Sequence, residues 1–296
     1  MNDTIPPKPN DPVPPKRVFS PARDEAAVAE QTTPAPQTRS PAYRLAFQDL
    51  DFLLREDLRP VRFQLELLKP ELFLEEAGIA STFVFYGSAR IPEPDKADAL
   101  IAAAANAKQK SIAERLKANS KYYEEARSLA RLASRTQPDE EGKRQFVVCS
   151  GGGPSIMEAA NRGAADVGAE SIGLNIVLPH EQMPNPYVTP ELSFQFHYFA
   201  LRKMHFLLRA RAVAIFPGGF GTFDESFELL TLIQTRKMKP MPIFFFGREF
   251  WERVVNFEAL MEEGVIAPDD LKLFRFVETA EEAWDHVCAH YGACPA

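Results

Sequence analysis

Short continuous apolar runs alternate along the chain with longer segments in which apolar residues have helical spacing. The apolar runs lie at Thr82–Tyr86, Phe146–Cys149, Ile172–Leu178, Ala212–Phe216 and Met241–Phe246. Such runs are typical of strands that are covered on both faces of a parallel sheet. The alternation predicts an α/β fold: a doubly wound, Rossmann-like, mostly parallel sheet with right-handed crossovers and helices on both faces.

The composition predicts three regions. Residues 1–41 hold ten of the 25 prolines and few large apolar side chains, which predicts a disordered proline-rich tail. Residues 42–80 form a predicted helical extension, with breaks at Pro60 and Pro70 and with apolar positions at Phe47, Leu50, Leu54 and Leu58. Residues 81–296 contain all the predicted strands and form the predicted α/β domain.

Three glycine-containing loops follow predicted strands. They are Gly87–Ser88, Gly151–Gly153 and Pro217–Gly221, and the last two precede helices. Ligands of open parallel sheets bind beyond the carboxyl ends of the strands, where these loops are expected to meet. A glycine-rich turn that opens a helix exposes backbone N–H groups and the positive end of the helix dipole, which suits a phosphate.

The glycine pattern does not fit the common phosphate-binding motifs. Gly151 and Gly153 match the first two glycines of the dinucleotide fingerprint, but Ile156 stands at the third, and the strand ending at Leu178 closes without an acidic residue. The sequence also contains no GxxxxGK(S/T) motif. NAD binding and the usual ATPase or GTPase mechanism are therefore disfavoured.

Charge and composition narrow the partners further. A net charge of -7 and a pI near 5.4 argue against polymeric nucleic acid, whereas a few local groups can still bind one mononucleotide. The three cysteines lack metal-ligand spacing, so no metal site is predicted. No apolar stretch approaches the roughly 20 residues of a membrane span. We therefore expect no membrane partner and a cytoplasmic location.

The segment PGGFGTFDE, residues 217–225, allows two interpretations. Thr222 and Glu225 have the spacing of a capping box at a helix start. A cap alone does not need Gly218, Gly219 and Gly221, whose clustering indicates close approach of a ligand to the backbone.

This segment resembles the PGGxGTxxE signature of the LOG family, the cytokinin riboside 5′-monophosphate phosphoribohydrolases formerly labelled lysine decarboxylases. Every fixed position of the signature is filled. Arg202–Lys203 on the preceding helix, Gly151–Gly153 with Met157, and the turn Gly87–Ser88 are similar to the family's other motifs. The chain reads GGGPSIMEAANRGA where short plant-type members have GGGxxGLMG, which is closer to the larger bacterial relatives.

The resemblance implies hydrolysis of the N-glycosidic bond of a nucleoside 5′-monophosphate, AMP or a cytokinin riboside 5′-monophosphate, to the free base and ribose 5-phosphate. It implies no cofactor and no metal. Glu225, at the ribose, and Arg202 are the predicted catalytic residues. The predicted substrate-binding residues are Gly87, Ser88, Gly151, Gly152, Gly153, Met157, Glu158, Lys203, Gly218, Gly219, Gly221 and Thr222.

Other interpretations remain open at this point. A module of the same fold could bind or sense nucleotides without cleaving them. A PLP-dependent lysine decarboxylase ranks last, because no constellation around a Schiff-base lysine is visible. His197 and His205 are interpreted as packed residues rather than bases.

Because the family forms dimers, a homodimer or higher homo-oligomer is expected, with Thr231–Met241 packing against the neighbour.

Overall fold

The computed structural model describes residues 19–179 and 183–292, in two compact units divided after Gln64. In the first unit, helix α1 spans Ala22–Glu30 and helix α2 spans Leu50–Leu53. Helix α1 lies within residues 1–41, for which the sequence predicts disorder, and none of its residues is buried. Residues 1–18 of that predicted tail lie outside the described residues, so its disorder stays a prediction.

The second unit is built on a seven-stranded sheet in which every neighbouring pair of strands is parallel. Its order is β4-β3-β2-β1-β5-β6-β7. The chain therefore builds one half of the sheet outward from β1 and then returns to β5 beside it. The strands are β1 Thr82–Tyr86, β2 Val147–Ser150, β3 Ile172–Ile176, β4 Ser193–Phe196, β5 Ala210–Ile215, β6 Ile243–Phe246 and β7 Arg275–Val277.

Helices cover both faces of this sheet, so the predicted doubly wound, Rossmann-like α/β fold is confirmed. One face packs on α6 (Lys121–Ala133), α7 (Ile156–Asp166) and α12 (Ala280–Tyr291). The other face packs on α8 Phe199–Leu208, α9 Phe220–Gln234, α10 Arg248–Val254 and α11 Phe257–Glu262. Each face of the sheet has its own hydrophobic core. Strand β1 is buried on both sides, because Phe83 packs in the core under α6, α7 and α12 and Val84 packs in the core on the opposite face. None of the described helices combines the length and apolar character needed to cross a membrane.

Some elements differ from the sequence prediction. The two edge strands, β4 and β7, were not predicted. Three helices lie between β1 and β2, namely α4 Pro94–Ala102, α5 Ala107–Asn119 and α6. The edge strands are short and half exposed, so they lack the continuous apolar run of a central strand.

The break predicted at Pro70 is wrong, because helix α3 runs from Arg59 to Glu76 through it. Proline has no N–H, so it leaves the carbonyl four residues earlier without its helical partner. That carbonyl belongs to Glu66, and it accepts a hydrogen bond from His205 Nε2 at 3.1 Å. The division between the compact units falls inside α3, rather than at the predicted boundary between residues 80 and 81.

Candidate active site

The candidate site lies where the strand order reverses. The loops after β1 and β5 are neighbours there, and the loop after β2 flanks β1. Open α/β sheets bind ligands at this reversal, beyond the carboxyl ends of the strands. A cavity of about 940 Å³ opens at this place and is lined by residues of all three glycine loops.

A buried ion pair forms the polar floor of the cavity. Arg202 Nη1, from α8, donates to Glu225 Oε1, from α9, at 3.2 Å, and the two side chains are only 10% and 14% exposed. Arg202 is fixed from behind, because its Nε donates to the Leu174 carbonyl at 2.7 Å and its guanidinium lies 5.0 Å from the centre of the Phe206 ring. Both charged groups are thus held in place before any ligand binds.

The environment of Glu225 changes its acidity. Burial raises the pKa of Glu225 to about 7, and the positive charge of Arg202 only partly opposes the rise. At neutral pH this carboxyl group therefore exists in both protonation states, as a general acid or base requires.

The capping-box interpretation of Thr222 and Glu225 is wrong. Helix α9 begins at Phe220 with Gly219 as its N-cap, and no side chain caps it. Thr222 is therefore the third residue of the helix, and its side chain packs on Gly218, where a β-carbon would collide with Thr222 Oγ1. Glu225 lies a full turn inside the helix, so its carboxylate is available to the cavity instead of the helix end.

The loop after β2 packs directly on the ion pair. A β-carbon at Gly151 would lie 2.6 Å from Arg202 Nη2 and 2.8 Å from Met157 Sδ, so only glycine leaves room for both side chains. Gly152 has a φ of +70°, and a β-carbon there would collide with the Asn175 side chain. Gly151 and Gly152 are therefore required by the packing of the site.

A buried amide network holds this loop in its shape. Asn185 Nδ2 donates to the Gly153 carbonyl at 3.0 Å and to Asn161 Oδ1 at 2.9 Å, and its backbone N–H donates to the Gly152 carbonyl at 2.8 Å. Ser150 Oγ completes the network by donating to Asn161 Oδ1 at 2.7 Å. The loop after β3, which carries Asn185, thus orders the glycine loop after β2.

Most of the predicted site residues line the cavity together. These residues are Gly87, Ser88, Gly151, Met157, Arg202, Gly218, Gly219, Gly221, Thr222 and Glu225. Gly152 and Gly153 stand behind the lining, where they shape the loop.

Glu158 and Lys203 do not reach the cavity. Glu158 Oε1 accepts a hydrogen bond from the Tyr123 hydroxyl at 3.2 Å, on the side of α7 that faces α6. One step along a helix turns a side chain by about 100°, so Lys203 points away from the direction of Arg202. Its Nζ lies 3.1 Å from a carboxylate oxygen of Asp224 and 3.1 Å from one of Glu228. Their proposed contacts with substrate have no support in this geometry.

Sequence reasoning missed several side chains of the lining. Tyr86 is the last residue of β1, and Asn175 lies next to the last residue of β3. Arg90 follows the Gly87–Ser88 turn, and all three side chains line the cavity. Their position at the carboxyl ends of strands is the signal that could have identified them. The mouth is lined by exposed apolar side chains, among them Phe199 and Phe220, which are 54% and 96% exposed.

Comparison with protein families supplies an independent finding. Residues 157–287 match the sequence profile of a family described as "Possible lysine decarboxylase", the former label of the LOG family. The predicted family resemblance is confirmed. The range that matches the LOG family includes Arg202, Glu225 and the whole PGGFGTFDE segment, and it begins after the loops that carry Gly87 and Gly151.

Comparison with other proteins adds little beyond the family. No curated protein sequence matches the chain. The solved structure of TM1055 is 18% identical in sequence to this chain and has a TM-score of 0.43. The match covers 70% of this chain and 98% of the TM1055 chain. A Moco carrier protein from Chlamydomonas reinhardtii is 15% identical with a TM-score of 0.40, and it covers 72% of this chain and 98% of its own.

Proposed function

We propose that the protein hydrolyses the N-glycosidic bond of a nucleoside 5′-monophosphate, AMP or a base-modified AMP such as a cytokinin riboside 5′-monophosphate. The products are the free base and ribose 5-phosphate. The buried Arg202–Glu225 pair on the floor of a cavity ringed by glycine loops is the observation that carries this proposal. The match to the LOG family over the same residues adds to it.

The phosphate has a suitable binding surface at the start of α9. Gly219 caps this 15-residue helix without a side-chain hydrogen bond, so its first N–H groups remain available to an anion. Open space lies on the side of Gly219 and Gly221 where a β-carbon would stand. A phosphate can therefore approach the backbone closely, in the favourable field of the helix dipole.

The chemistry follows from the carboxylate on the cavity floor. As the bond between C1′ and the base nitrogen breaks, its electron pair leaves with the base, and positive charge develops on the ribose. The Glu225 carboxylate stabilises that charge and accepts a proton from the water whose oxygen bonds to C1′. The departing base nitrogen takes up a proton from solvent, and Glu225 releases the proton that it took from water back to solvent, so one water is consumed overall. Arg202 holds the carboxylate in one orientation during these steps.

Decarboxylation of lysine does not fit the cavity. PLP enzymes of that class form a Schiff base with a lysine. No lysine lines the cavity in the part of the chain that the structure describes, and the nearby Lys203 is engaged with two carboxylates outside it. The older family label therefore does not guide our proposal.

The test is the release of free base. Purified protein is incubated with AMP, GMP, CMP and isopentenyl-AMP, and the products are separated by liquid chromatography. We expect base and ribose 5-phosphate in equal amounts from at least one adenine nucleotide. Tight mononucleotide binding by calorimetry with no base release would instead favour a non-catalytic nucleotide-binding module.

A further inference from the structure

Tyr86 is a buried residue of the cavity that the proposed reaction does not use. It ends β1 at the point where the strand order reverses, and its side chain is only 3% exposed. Its ring meets Phe206 edge to face, with the centroids 5.1 Å apart, and Phe206 also lies beneath the guanidinium of Arg202. Tyr86 is thereby fixed on the same side of the sheet as the Arg202–Glu225 pair.

The Tyr86 hydroxyl lacks a hydrogen-bond partner within the described residues, although Tyr86 lines the cavity. The other buried tyrosines differ. The hydroxyls of Tyr122 and Tyr123 donate to Glu278 at 3.0 Å and to Glu158 at 3.2 Å. Several side-chain polar atoms in the described part of the chain are fully enclosed and lack a partner, and the Tyr86 hydroxyl is not one of them. This hydroxyl is therefore accessible from the cavity, where an acceptor atom of a ligand can take its hydrogen bond.

The electrostatics define the kind of atom that fits. Burial raises the pKa of Tyr86 well above its ordinary value, and the negative charge of Glu225 adds to the rise. The phenol therefore stays protonated and acts as a donor. The same negative charge disfavours a phosphate at this position, whereas a neutral hydroxyl oxygen is accepted. Of the parts of a nucleotide, the ribose is the one that presents neutral hydroxyls next to the reacting C1′.

We propose that the Tyr86 hydroxyl donates a hydrogen bond to a ribose hydroxyl of the bound nucleotide and makes the site select ribonucleotides over deoxyribonucleotides. This inference rests on the proposed function for its ligand, a nucleoside 5′-monophosphate, but it does not depend on turnover. A site built to hydrogen-bond a substrate hydroxyl discriminates strongly against the analogue that lacks it.

The test combines Tyr86→Phe with removal of each ribose hydroxyl. Calorimetry gives Kd, and base release gives kcat/KM, for AMP, 2′-deoxy-AMP and 3′-deoxy-AMP with both proteins. We expect the variant to bind AMP about tenfold more weakly, equivalent to about 1.4 kcal/mol. For the one deoxy analogue that lacks the contacted hydroxyl, the two proteins should differ by less than about twofold, because the hydrogen bond is already absent.

Tyr122→Phe is the matched control, since it also removes a buried hydroxyl but lies outside the cavity. It should lower the melting temperature without changing the preference among the three nucleotides. Equal losses by Tyr86→Phe for all three nucleotides, or no loss for any, would overturn the inference. If the expected binding pattern appears but no protein releases base, only the hydrolysis proposal fails. If AMP is cleaved without the pattern, only the Tyr86 proposal fails, and absence of nucleotide binding refutes both.

Discussion

Replacing Glu225 by glutamine separates the charge of this side chain from its volume. The residue is 14% exposed, and its Oε1 lies 3.2 Å from Arg202 Nη1. Glutamine keeps the size and an oxygen that accepts from Arg202, but it cannot carry a negative charge or take up a proton. The N-cap of α9 is Gly219, so the change leaves the start of the helix untouched.

The expected loss of activity comes from the missing charge. Deleting one preorganised electrostatic group from an active site costs on the order of a hundredfold or more in rate. We therefore expect Glu225→Gln to bind AMP and to release base at least about a hundredfold more slowly, measured by liquid chromatography. In the wild type, kcat/KM should rise with pH through about 7 as the carboxylate forms, and this limb should vanish in the variant.

The same substitution changes the pH dependence of stability. The pKa of Glu225 is about 7 in the folded protein and 4.5 in its ordinary state, so the folded protein holds the proton more tightly. The stabilisation from this group is thus complete below pH 4.5 and is lost as the pH rises through about 7. Its full size is about 3 kcal/mol. Between pH 5 and pH 8, the free energy of unfolding of the wild type should therefore fall relative to that of Glu225→Gln, measured by urea denaturation.

Glu228→Gln is the control for both measurements. It lies three residues further along α9, pairs with Lys203 and does not line the cavity. It should keep base release within about twofold of the wild type and lack the pH-dependent difference in stability. If Glu225→Gln kept most of the activity on the best substrate, the mechanism would be refuted and Glu225 would have a structural role only.

Three further substitutions address the loops and the unused lysine. Gly151→Ala brings a β-carbon to 2.6 Å from Arg202 Nη2. The guanidinium must then move, and we expect AMP binding by calorimetry to weaken about tenfold or more. Asn185→Ala removes donors to Gly153 and Asn161, so denaturant unfolding should show a loss of about 2–3 kcal/mol. Lys203→Gln breaks only ion pairs outside the cavity, so we expect base release within about threefold of wild type and a stability change below about 1 kcal/mol. A large loss of AMP binding in Lys203→Gln would restore its predicted contact with substrate.

The central strands could be predicted from the sequence because their signal is local. A strand buried on both faces, such as β1, needs a continuous apolar run, and its bounds at Thr82–Tyr86 were predicted without error. Edge strands carry a weaker signal. Strand β7 has three residues, begins with an exposed arginine and is recognised only through its register with β6.

The site was predictable to the extent that it depends on loops and sequence motifs. The PGGFGTFDE segment and the Arg202–Lys203 pair identified the two charged groups on the cavity floor. The direction of each side chain depends on where a helix starts and how it is rotated, and spacing alone does not fix this. The wrong cap at Thr222 and the outward position of Lys203 both follow from that dependence.

The rotation of α8 itself is fixed by a contact that no local pattern reveals. The Glu66 carboxylate accepts hydrogen bonds from the backbone N–H groups of His197 and Tyr198 at 2.9 and 3.1 Å, and it complements the dipole at the start of α8. The Glu66 carbonyl, which Pro70 deprives of its helical partner, binds His205 one turn after Arg202. One residue of α3 thus holds both ends of the segment that carries Arg202. Because a shift of α8 by one residue would turn Arg202 by about 100° away from Glu225, the proline inside α3 contributes to the geometry of the active site.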